Sequence, residues 1–79
     1  MPITTKHLTY IHVRNSPSGK TKIIHVRNIK NEVLLGTIYW YASWRKYTFE
    51  PAEQIILDSD CLEDICQFMR NENKLRKEG

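Results

Sequence analysis

Seventy-nine residues with a net charge of +3 leave room for one small domain, and the eight Phe, Trp and Tyr residues supply enough burial to hold it together without staples. Two cysteines, Cys61 and Cys66, fall five positions apart within one helical stretch, which excludes a structural disulfide framework. With no signal-peptide pattern and no apolar run of membrane-span length, the expected compartment is the cytoplasm, with no membrane partner.

Alternation of apolar and polar residues predicts strands over Leu8 to Arg14 and Lys22 to Arg27, joined by a turn at Ser16-Pro17-Ser18-Gly19. Both strands contain His-Val-Arg-Asn, a match too short to mark a repeat architecture. Read by alternation, Ile11, Val13, Ile24 and Val26 point inward, and Tyr10, His12, Arg14, His25 and Arg27 point outward. A second turn around Lys30-Asn31-Glu32 leads into a strand over Val33 to Tyr41, and Trp44 to Glu50 returns until Pro51 ends the ladder. A fifth short strand is expected at Gln54 to Leu57.

The period then becomes helical: Leu62, Ile65, Cys66 and Met69 form a stripe widened by Phe68. Ser59 or Asp60 is the expected cap, with Glu63 placed for a capping box, and basic residues gather towards the other end as the helix dipole favours. The stripe fades near Asn71, so the expected helix spans about Ser59 to Asn73. Residues 1–73 then form one domain, and residues 74–79 form a frayed tail. The fold class is α+β: an antiparallel meander of about five strands with one C-terminal helix across one face.

A tight turn at Ala42-Ser43 would pair Tyr41 with Trp44, Trp40 with Arg45, Ile38 with Tyr47 and Gly36 with Phe49. One face then carries Ile38, Trp40, Arg45, Tyr47 and Phe49 towards the helix, with Gly36 leaving room for the Phe49 ring. The other carries Thr37, Tyr39, Tyr41, Trp44, Lys46 and Thr48, and no second helix remains to cover it.

Residues Met1 to Asn31 carry +6 with no acid, and the remainder carries −3. The outward face of the first hairpin adds Arg14 and Arg27 to the aromatic patch, so the expected binding residues are Tyr39, Tyr41, Trp44, Lys46, Arg14 and Arg27. Tyr, Trp and Arg are the residues that anchor protein interfaces, which suits a protein partner or self-association. They also stack on unpaired bases and neutralise phosphates, which suits single-stranded nucleic acid.

Catalytic chemistry has little to build on. His7, His12, His25, Cys61 and Cys66 show none of the spacings that converge on a metal, so neither a metal nor another cofactor is expected. The acids Asp58, Asp60, Glu63 and Asp64 are accounted for by capping and dipole compensation, and Cys61 reads as a small buried hydrophobe. Ser18-Gly19-Lys20-Thr21 lacks the upstream glycine and the following helix of a phosphate-binding loop. The chain is expected to be a non-catalytic binding protein and not an enzyme.

The run Leu35-Gly36-Thr37-Ile38-Tyr39-Trp40-Tyr41-Ala42-Ser43-Trp44-Arg45-Lys46-Tyr47-Thr48-Phe49-Glu50-Pro51, followed by Cys61-Leu62-Glu63-Asp64-Ile65, resembles short uncharacterised proteins encoded by bacteriophages and prophages. The resemblance spans about Ile24 to Met69. In that group the tip between the tryptophans is often Gly-Pro, where this chain has Ala42-Ser43. The resemblance implies a mobile-element context and a shared small fold. It also suggests a host or defence factor as the protein partner.

Overall fold

The computed structural model describes residues 3–78, with side chains described for residues 3–76. Five antiparallel strands follow chain order across a single sheet: β1 (Ile3–Thr4), β2 (Leu8–Asn15), β3 (Lys22–Asn28), β4 (Leu34–Tyr41) and β5 (Lys46–Pro51). One 20-residue helix, α1 (Ser59–Glu78), packs on one face. The expected α+β meander is therefore the observed fold, with one exchange among its strands. Gln54 to Leu57 is an irregular connection in which Gln54 takes a left-handed φ of 59°, and the fifth strand is instead Ile3–Thr4, paired with β2.

The core lies between sheet and helix. Leu8, Tyr10, Ile24, Val26, Leu35, Ile38 and Tyr47 meet Ile65, and Trp40, Phe49, Cys61, Phe68 and Met69 pack around them. Burying this apolar surface supplies the driving force, at about 25 cal/mol per Å2 removed from water.

In β2 the inward and outward residues are the reverse of the expected ones. Leu8 and Tyr10 are buried, Tyr10 opposes Val26 in the ladder, and Val13 is exposed. The aliphatic pair Ile11 and Val13 suggested the opposite phase, but an aromatic ring buries more area than either, and its hydroxyl finds a partner inside. His12 opposes Ile24 and so stands on the helix face, where the alternation had placed it outward. A bulge follows: His12 pairs with Ile24 and Arg14 with Ile23, so Val13 is the extra residue and Arg14 lands on the open face.

The second hairpin keeps the expected faces but not the expected pairs. Tyr41 opposes Lys46, Trp40 opposes Tyr47 and Ile38 opposes Phe49, a shift of two residues from the tight-turn register. Because side chains alternate with period two, an even shift leaves every strand residue on its face. The loop is consequently Ala42–Arg45, closed by Trp44 and Arg45 amides donating to the Tyr41 carbonyl at 3.1 and 2.9 Å. Arg45 has a φ of 55° and is exposed in this loop, so it does not join the core face beside Trp40.

The helix is capped by Asp58, not by Ser59 or Asp60: its carboxylate accepts the Cys61 amide at 2.9 Å. That hydrogen bond holds the Asp58 carboxyl below the usual carboxylate range. The inner stripe runs through Cys61, Ile65, Phe68, Met69 and Glu72, while Leu62 is 49% exposed. Helical structure continues past the expected end at Asn73 to Glu78, and Gly79 lies outside the described residues. Polar anchors explain the extension. Asn73 accepts the Tyr47 amide at 2.7 Å, buried Glu72 pairs with Lys22 at 2.8 Å, and the Arg76 guanidinium lies 5.2 Å from the Trp40 ring centre.

Gly36 leaves room for the Phe49 ring, as the sequence reading anticipated. A Cβ there would stand 2.5 Å from the Phe49 ring and from the Glu50 carbonyl oxygen. Gly36→Ala is expected to lower unfolding free energy by about 1–3 kcal/mol through overpacking, read from the midpoint of a urea melt.

Candidate functional site

The sheet has two faces and α1 covers one. The ladder places Ile11, His25, Thr37 and Glu50 in one transverse row of the other face. Arg14 beside Ile23 and Tyr39 beside Thr48 follow, and Tyr41 beside Lys46 closes the end nearest the β4–β5 loop. Among the described residues no second helix covers these rows.

Of the expected binding residues, Tyr39, Tyr41, Lys46 and Arg14 gather on the half of this face nearest the β4–β5 loop. Trp44 joins them from that loop, not from a strand: its ring is centred 4.8 Å from that of Tyr41 and it is 63% exposed. Arg27 does not join. It shares the face but opposes Leu34, seven positions along β4 from Tyr41 and so about 23 Å away, and its guanidinium donates to the Glu32 carbonyl at 3.0 Å.

The sequence reading missed three members of the surface. Ile11 was assigned inward because of the reversed phase in β2. Ile23 was not placed, although it precedes inward Ile24 and shares the face of His25; the bulge at Val13 sets Arg14 beside it. Glu50 was not weighed, yet its carboxylate accepts a hydrogen bond from the Tyr39 hydroxyl at 3.2 Å, which raises the pKa of that phenol. The signal available for Tyr10 was Leu8, two residues earlier and on the same face.

Tyr10 is instead part of the helix clasp. Its ring stacks on Phe68 with centroids 4.0 Å apart and planes within 1°, and its hydroxyl donates to Asp64, which also accepts from the Thr5 hydroxyl. Burial first, and the neighbouring carboxylate second, push the Tyr10 phenol far above its ordinary range. A recess of about 860 Å3 lies between β1 and α1, lined by Ile3, Lys6, Asp60, Phe68 and Leu75, but two of its carboxylates, Asp64 and Glu72, are already engaged.

Cys61 packs against the core, and its thiol is pushed up by burial and then by the Asp58 carboxylate. A raised thiol pKa means less thiolate at neutral pH, the opposite of what a nucleophile needs. Among the described residues no group of His, Cys, Asp or Glu is arranged to hold a metal ion, and no helix is long and apolar enough to cross a membrane.

Two outcomes follow. Trp44→Ala is expected to change stability by no more than about 0.5 kcal/mol, as for other surface substitutions, whereas Trp40→Ala should cost about 3 kcal/mol; paired urea melts check both. Cys61 should alkylate with iodoacetamide more slowly than free cysteine at pH 7.5 and gain rate only as pH rises above the ordinary thiol range, read by peptide mass mapping.

No family model matches the sequence, and no solved structure matches it. It is 33% identical over 75 residues, 95% of each chain, to the "Uncharacterized 9.3 kDa protein" of Acholeplasma phage L2. On that identity and coverage, the chain belongs to the family of this small phage protein.

Proposed function

We propose that this protein is a non-catalytic binding protein of a phage or other mobile element, acting in the cytoplasm through the open sheet face on a protein partner such as a host or defence factor. The observation that carries the reading is the make-up of the uncovered face. Ile11, Ile23, Tyr39 and Tyr41 supply apolar and aromatic area, with Arg14 and Lys46 exposed beside it. An aromatic centre with a charged rim is the usual anatomy of a protein interface. Membership in a phage-protein family supports the mobile-element context.

Single-stranded nucleic acid is the second reading, favoured by exposed Arg14 and Lys46 beside stackable Tyr41 and Trp44. Glu50 weighs against it, since a carboxylate on the same face repels phosphate.

Nuclease-treated host lysate passed over immobilised protein tests the choice. A partner protein retained by the wild type and lost with Tyr41→Ala/Trp44→Ala is the expected result, and labelled oligonucleotides should show no anisotropy change at about 150 mM salt, where surface charges more than about 8 Å apart are screened. Tight, salt-sensitive oligonucleotide binding abolished by the same substitutions would contradict it and establish the second reading.

A further inference from the structure

Within the open face there is a cleft of about 290 Å3 between the β2–β3 turn and β4, lined by Arg14, Pro17, Ile23, Thr37 and Tyr39 among others. That volume lies just below the range of about 300–1,000 Å3 typical of small-molecule sites, and it suits a single apolar side chain.

Three of the other cations are engaged internally. Lys22 pairs with Glu72, Arg27 donates to the Glu32 carbonyl, and Arg76 lies over Trp40. Arg14 and Lys46 have no ion pair among the described residues, and both are exposed. They flank the Ile23–Tyr39 area from β2 and β5, three strands apart and so about 16 Å from each other by strand spacing and residue rise. The acid that shares their face, Glu50, accepts a hydrogen bond from Tyr39. The face thus presents an apolar slot with an unspent guanidinium at its edge and a second free cation beyond it.

Charge complementarity decides what fits. A basic segment would set its cations against Arg14, and a neutral one would leave the guanidinium without a partner. A carboxylate beside the slot accepts the two parallel N–H groups of the guanidinium. Resting on the protein-binding reading above, we propose that the cleft receives an apolar side chain from a partner-protein segment that carries Asp or Glu next to it, with the carboxylate paired to Arg14.

Random 12-residue peptides displayed on phage, selected on the immobilised wild-type protein and counter-selected on Arg14→Glu, test this, and amide-shift mapping locates the winning peptide. The expected winners carry an acid adjacent to Leu, Ile, Phe or Trp, shift the amides of Ile23, Thr37 and Tyr39, and lose about tenfold or more in affinity on Arg14→Glu. A circular dichroism spectrum unchanged by the substitution separates this loss from unfolding. Basic or uncharged winners that map to the cleft would overturn the acidic preference and leave the face as a binding surface. No winners, or winners mapping only to the recess between β1 and α1, would overturn both. Displacement of the peptide by an unlabelled single-stranded oligonucleotide at physiological salt would assign Arg14 to phosphate and overturn the proposal as well.

Discussion

The contact on which the rest of the structure depends is Tyr10 against the helix, its ring stacked on Phe68 and its hydroxyl bound to Asp64. A hydroxyl taken out of water needs a partner, and the cost of leaving it unpaired is about 1–3 kcal/mol. Only one phase of β2 brings that hydroxyl to the helix. Once Tyr10 faces inward, the ladder propagates the choice: Val26 and Gly36 line up with it, and Ile24, Ile38 and Phe49 occupy the next inward row. Thr5, donating to the same carboxylate, ties the β1–β2 connection to the same point.

A helix committed to one face leaves the other without cover. The bulge at Val13 then matters more than its single residue suggests, because it changes the face of everything after it in β2. Without it Arg14 would share the helix face with Tyr10 and His12. With it, Arg14 stands next to Ile23 on the open side. The candidate surface is therefore produced jointly by a buried aromatic clasp and one irregularity in the ladder, and the binding role proposed for it rests on what those two features expose.

The sequence showed the meander, the helix start near Ser59 and the role of Gly36, because alternation, turn residues and a missing side chain are local signals. It showed the faces of β4 and β5 even with the wrong turn length, since a register shift of two preserves parity. What it did not show depends on partners distant in the chain. Tyr10 is inward because of Asp64, 54 residues away, and the helix runs to Glu78 because Asn73 and Glu72 meet backbone and side chains of β5 and β3. An apolar stripe cannot reveal a helix end held by an amide and an ion pair. The bulge, too, leaves no mark in composition, so the pairing of Arg14 with Ile23 was not legible even though Tyr39, Tyr41, Trp44, Lys46 and Arg14 were.

Hydroxyl-radical footprinting of the free protein, with oxidation quantified tyrosine by tyrosine, tests the central claim most directly, because it reports which sheet face the helix covers. The account predicts rapid modification at Tyr41, which is 40% exposed, and slow modification at Tyr10 and Tyr47, which are 2% and 5% exposed. Tyr10 oxidising as fast as Tyr41 would mean that the helix lies on the other face, and the proposed binding surface would have to be reassigned with it.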